Sequence, residues 1–146
     1  GWRLRYASEI YEQDGITVEA AMEWTDALAT GHSAIDAQHR ELLRCLNELE
    51  TATAEQRTLL AVYSITRLKH YVRDHFATEE AVMLECDFPK LKEHILEHEN
   101  FRAKMLDLQS KSIHLDVSTE MVEFLRNWLV GHICSSDREY VPYIKK

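Results

Sequence analysis

Turn-forming residues are scarce in this chain, with four glycines and two prolines among 146 residues. That scarcity argues against a turn-rich β fold and in favour of long helices. Basic residues are the minority charge, 17 against 25 acidic ones, and the formal net charge is −8. With no dense basic patch to neutralise phosphates, nucleic acid is excluded as the main partner. No run of 18 apolar residues occurs, so no helical membrane span is expected, and no signal-peptide pattern is visible. The three cysteines, Cys45, Cys86 and Cys134, are isolated and odd in number. They provide no disulfide framework and point to a reducing, cytoplasmic compartment. The chain begins at Gly1 and not at Met, which suggests a segment processed or cut from a longer protein.

What is present is helical patterning. Hydrophobic residues make up 45% of the chain, enough for one domain with a real core. Residues 1–23 stand apart and are expected to be an N-terminal extension or linker. Trp2, Leu4, Tyr6, Ile10 and Tyr11 loosely match one side of a short helix ending near Gly15. Residues 24–146 carry four amphipathic stretches. The first, with Ser33 as expected N-cap, has Ile35, His39, Leu42, Leu43, Leu46 and Leu49 inward through about residue 51. The second begins near Glu55, with Leu59, Val62, Leu68, Val72, His75, Phe76, Glu79, Val82 and Met83 inward. The third starts at Pro89 and turns Leu91, His94, Ile95, His98, Phe101, Met105 and Leu108 inward. After a polar connection, Ser118 or Thr119 caps a fourth, with Met121, Phe124, Leu125, Trp128, Leu129, His132 and Ile133 inward. Short connections between such helices predict an all-α, up-down-up-down antiparallel four-helix bundle.

Ionisable residues interrupt each apolar stripe. They are His39 on the first helix, His75 and Glu79 on the second, His94 and His98 on the third, and His132 on the fourth. His75 and Glu79 are four apart, as are His94 and His98, so each pair projects from one face of its helix. Counted from the helix breaks at about 1.5 Å per residue, all of them reach one slice of the core. Imidazoles and a carboxylate gathered there without a metal would be severely unfavourable. A His-rich, carboxylate-bridged pair of ions uses the whole set, and iron, manganese or zinc suits these ligands. Asp137 follows His132 by five, which turns it about 140° away on an ideal helix. Either the helix widens at Cys134-Ser135-Ser136, as in a π-bulge, and Asp137 is a ligand, or Asp137 is only a surface charge.

The stretches WTDALATGHSAIDAQHRELL, HFATEEAVM, HILEHENF and GHICSSDREY together resemble the bacterial hemerythrin family over roughly residues 24–144. The order His, His-x-x-x-Glu, His-x-x-x-His and His-x-x-x-x-Asp is the family pattern, including the five-residue step to Asp137. The resemblance implies a non-haem di-iron centre. His94, His98 and His132 would hold one iron, His39 and His75 the other, and Glu79 and Asp137 would bridge them beside an oxo or hydroxo group. It also implies reversible dioxygen binding at an open position on the second iron, where small anions could enter. Leu129 lies over that position in the family, and Phe76 is expected to add an apolar wall. Ferritin-like bundles are a rival, but they use Glu-x-x-His pairs and are richer in carboxylates. The role implied is an oxygen carrier, or the oxygen- or redox-sensing domain of a signalling protein with a fused or partner module. A peroxide- or nitric-oxide-reducing enzyme using the same centre is the alternative.

Overall fold

The structure, a computed structural model, describes residues 11–13, 16–18 and 23–144. Four helices dominate it: α1 (Ser33–Thr51), α2 (Ala54–Glu85), α3 (Leu91–Lys111) and α4 (Ser118–Trp128). The last runs on without interruption through a π-helical segment, Leu129–Ser136, and a final α turn, Asp137–Glu139. α1 packs on α2 and α4, and α2 packs on α3, as in the expected all-α four-helix bundle. None of the helices among the described residues is long and apolar enough to cross a membrane.

The N-terminal segment departs from expectation. Tyr11–Gln13 (β1) and Ile16–Val18 (β2) pair antiparallel, with Gln13 opposite Ile16, where the loose helical reading of the segment ended. Asp14-Gly15 between them is a dipeptide of the kind that two-residue hairpin connections favour, a signal stronger than the poor helical match. The rest of the expected short helix, residues 1–10, lies outside the described residues.

Each helix end has a local cause. α1 is capped by His32, one residue before the expected Ser33, and its Nδ1 accepts from the Ile35 amide at 3.3 Å. Upstream, Gly31 takes φ 89°, a left-handed conformation that glycine adopts without strain. The Asp36 carboxylate holds this loop by accepting from the Thr30 amide at 2.7 Å and the Thr30 hydroxyl at 2.8 Å. α2 starts behind Thr53, whose hydroxyl accepts from the Gln56 amide. It ends in a Schellman motif. Asp87 sits at φ 56°, its amide donates to the Leu84 carbonyl, and the Phe88 amide donates to the Met83 carbonyl. Pro89 then prevents continuation, and α3 begins at Leu91, two residues later than expected. The carboxylate of Asp116, not Ser118 or Thr119, accepts from the first amide of α4 at 2.9 Å.

The inward stripe of α2 also needed correction. Leu59 is 76% exposed and Val62 43%, whereas Ala61, Ser64 and Ile65 are buried. Leu59 precedes Leu68 by nine residues, about two and a half turns, so the two cannot share a face. The true stripe was hard to see because two of its members, Ala61 and Ser64, are small or polar.

The buried side chains form two apolar clusters. The larger takes Leu42 to Leu49, Ala61 to Phe76, Phe101 to Leu108, and Val117 to Ile133; the smaller joins Ile35, Met83, Cys86, Phe88 and Tyr140. Along every helix the expected ligands fall where one cluster gives way to the other, so a polar layer lies between two dry ones.

At the turn between α1 and α2, the Arg57 guanidinium gathers three carbonyls. It donates to Leu49 at 2.9 Å, to Glu50 at 3.0 Å and to Ala52 at 3.2 Å. These acceptors are the orphan carbonyls of the α1 terminus. Arg57→Ala is therefore expected to cost about 1–3 kcal/mol in chemical denaturation without changing metal content. An unchanged denaturation midpoint would show that water replaces the guanidinium at no cost.

Candidate metal centre

His39, His75, Glu79, His94, His98, His132 and Asp137 converge in that layer, and all seven are buried to 3% exposure or less. Glu79 divides its two oxygens. Its Oε1 lies 2.7 Å from Nε2 of His75 and 3.1 Å from Nε2 of His39. Its Oε2 lies 3.2 Å from Nε2 of His94 and 3.4 Å from Nε2 of His98. Asp137 divides its oxygens in the same sense: Oδ2 is 3.0 Å from His39, and Oδ1 is 2.9 Å from His94 and 3.0 Å from His132. Two groups result, each with its donor atoms within 4.8 Å of one another. One is His39, His75, Glu79 and Asp137; the other is His94, His98, His132, Glu79 and Asp137.

The backbone explains how Asp137 arrives there. Leu129–Ser136 is wound as a π-helix, and the Asp137 amide donates to the carbonyl of His132, five residues back. The Ser135 hydroxyl also donates to the Val130 carbonyl at 3.0 Å. Widening the turn places residues five apart on one face, which an α-helix cannot do.

The cluster satisfies itself only in part: Glu79 is hydrogen-bonded to Nε2 of His39 and of His94, and other atoms of the set are not paired. Nε2 of His132 and both oxygens of Asp137 meet no hydrogen-bond geometry, although the nitrogen and Oδ1 are 3.0 Å apart. Nε2 of His98 is also unpartnered. Buried polar atoms are rarely left so. Buried, unpaired donor atoms gathered within 4.8 Å of one another are what a metal ion requires of its ligands. The donor set of imidazole nitrogens and carboxylate oxygens suits a divalent transition ion.

The charges are consistent with this. Burial works against a charge on His39 and His94, but the close carboxylates of Asp137 and Glu79 outweigh it and raise each pKa to about 10. Burial likewise opposes a charge on His132, and Asp137 prevails to raise it to about 9. His98 is shifted down by burial. Burial favours the neutral form of Glu79 and Asp137, yet the surrounding imidazoles hold both carboxyls well below their ordinary range.

Aromatic rings wall the layer. Phe76 stacks on His98 with centroids 3.8 Å apart and 6° between planes, and Trp128 stacks on His132 at 4.0 Å and 14°. Tyr71 stacks on His75 at 5.7 Å, and the buried Tyr140 lies edge-on to His94. Leu129 is buried one turn before His132, in the same apolar cluster as Phe76. His70 is exposed, and His32 serves as a helix cap. Burial pushes the Cys134 thiol up to about 12, away from the thiolate form.

Sequence reasoning passed over the residues behind the histidines. Gln38 Oε1 is 2.7 Å from Nδ1 of His75, and Glu97 Oε2 is 2.7 Å from Nδ1 of His132. Each immediately precedes a ligand on its own helix and reaches a ligand on a different one. Only helix packing reveals such partners.

The sequence matches the family described as "Hemerythrin HHE cation binding domain" over residues 30–144. It is 31% identical over 127 residues to a bacteriohemerythrin of Stenotrophomonas maltophilia, covering 86% of this chain and 83% of the relative. It is 32% identical over 117 residues to a myohemerythrin of Riftia pachyptila, covering 80% and 88%. A crystal structure of wild-type hemerythrin superposes with a TM-score of 0.69 at 29% identity, covering 84% of this chain and 97% of that one.

Metal must displace protons from this cluster. In metal-stripped protein the raised histidines contribute stability that is complete below about pH 6.5 and is lost as pH rises through about 9 to 10. The thermal midpoint of chelated protein is therefore expected to fall between pH 7 and 10, while metal affinity rises over the same interval. Calorimetric titration in buffers of different ionisation enthalpy should register proton release on metal uptake. A stripped protein that gains stability over that interval would contradict the assignment.

Proposed function

The chain belongs to the hemerythrin family, and on that premise we propose that it binds dioxygen reversibly at two iron ions held by His39, His75, Glu79, His94, His98, His132 and Asp137. One observation carries the reading: each carboxylate turns one oxygen to the two-histidine group and the other to the three-histidine group. Two bridging carboxylates between unequal histidine sets suit a pair of ions with a free position on the poorer side. An oxo- or hydroxo-bridged iron pair supplies, when bound, the electrons that hold dioxygen and release it again.

The chain's own residues do the remaining work. The histidines and carboxylates would orient the pair from four helices. Phe76, Trp128 and Leu129 are apolar groups beside that layer, and a confined apolar surface offers entering water few hydrogen-bond partners. Small anions would compete for the same free position. We read the protein as a binding protein and not an enzyme, with residues 24–146 as the di-iron domain and residues 1–23 as an extension to it. A carrier and a cytoplasmic sensing module coupled to a signalling partner would use the same site in the same way.

Anaerobic reconstitution with ferrous iron should give about two irons per chain, and a colourless form that colours in air and bleaches under vacuum. One zinc per chain with no iron uptake would overturn the di-iron reading. Irreversible oxidation would favour a redox sensor, and steady peroxide or nitric oxide turnover an enzyme.

Leu129→Ala should speed fading of the air-induced colour at constant pH while iron content stays near two. It should also cost roughly 2–5 kcal/mol of stability as a large-to-small core change. An unchanged fading rate with the iron retained would reduce Leu129 to a core leucine.

A further inference from the structure

All five histidines turn Nε2 toward the bridging carboxylates, so what faces Nδ1 is a separate choice made by the surrounding helices. The choices differ between the two groups. Behind His132, Nδ1 meets a carboxylate oxygen of Glu97 at 2.7 Å. The other oxygen of Glu97 accepts from the Ser136 hydroxyl at 3.0 Å, which fixes the carboxylate in place. Behind His98, Oε1 of Glu80 lies 3.7 Å from Nδ1, too far for a hydrogen bond but close enough to act as a charge. On the two-histidine side the partner of His75 is the neutral amide of Gln38, at 2.7 Å. Nδ1 of His39 is buried and has no partner.

A carboxylate behind a ligating imidazole fixes its tautomer and makes it a stronger donor, whereas an amide fixes the tautomer without adding charge. A stronger, more negative donor favours the more highly charged ion. We propose that Glu97 and Gln38 are positioning residues that make the two iron sites electronically unequal, with Glu97 favouring ferric iron on the three-histidine side and Gln38 leaving the two-histidine side easier to keep ferrous. This rests on the di-iron reading above. It adds a source of asymmetry beyond the count of ligands: a charge difference in the groups behind them. The consequence for dioxygen is that the side with the free position has the higher midpoint, so its ferric form returns more readily to the ferrous state.

The size of the effect is bounded. Partners of this kind are typically worth 10–100-fold in metal affinity. The Glu97 side chain is 43% exposed, so solvent screens its charge and the lower figure applies. A tenfold change in the ferric-over-ferrous preference corresponds to about 59 mV for a one-electron step.

The test is potentiometric titration of the iron-reconstituted full chain, with iron content measured on every sample. Glu97→Gln, which keeps an oxygen acceptor and removes the charge, should raise one of the two one-electron midpoints by about 59 mV. Gln38→Glu, which adds a charge at matched shape, should lower a midpoint by a similar amount. A structural role alone would lower iron content or stability in both variants and would not move the potentials in opposite directions. Should Glu97→Gln fail to hold two irons, Gln38→Glu decides by itself, because it removes no ligand contact. Two irons in each protein with unmoved midpoints, or with both shifting the same way, would overturn the inference and leave the di-iron reading standing. A parent chain that takes up no iron would overturn both.

Discussion

Five imidazoles and two carboxylates buried in one layer of a helical core are the constraint on which this structure depends. Removed from water and left to one another, such groups carry a heavy desolvation cost that mutual attraction repays only with good geometry. Here the geometry among them is poor for hydrogen bonds, since Asp137 and the Nε2 atoms of His98 and His132 are left unpartnered. It is good for two ions placed between the carboxylates. On the di-iron reading proposed above, the folded state of the central layer is coupled to metal, and the dry clusters on either side confine the polar layer to one level.

The helices are cut to serve that layer. The Schellman turn at Asp87 and Phe88 reverses the chain so that Glu79 on α2 and His94 on α3 meet at 3.2 Å. The loop before α1 is tied by Asp36 to Thr30, and the Arg138 guanidinium, beside Asp137, donates to the Ala29 carbonyl. The π-helical turn is an expensive conformation at the one place where its cost has an evident return, because it alone brings His132 and Asp137 to the same face. The same turn brings Ser136 within reach of Glu97, so the placement of Asp137 and the outer hydrogen bond to His132 share a local cause.

The candidate ligands were legible because helical spacing carries information about faces. His75 with Glu79, and His94 with His98, had to share a side of their helices, and the proline after Phe88 had to end the first of them. The five-residue step to Asp137 was legible only as a conflict: it demanded either a widened helix or a surface charge, and the backbone shows the widened helix. The weak points were of another kind. Leu59 and Val62 are apolar residues on the wrong face of α2, and hydrophobicity alone does not tell a core residue from an exposed one. The β1–β2 pairing replaced a helical reading because Asp-Gly chemistry outweighed a loose periodicity.

Residue spacing alone establishes the set of chemical groups and the helix faces that carry them, because position along an α-helix is a local property that needs no partner to be true. Which group stands behind which is set by helix packing. Gln38 and Glu97 follow no spacing rule relative to His75 and His132, since each pair lies on two helices whose relative rotation is set by packing throughout the core. The division of Glu79 and Asp137 between two and three histidines was decided in the same way. A carboxylate's two oxygens are identical in the sequence and become different only when four helices close around them.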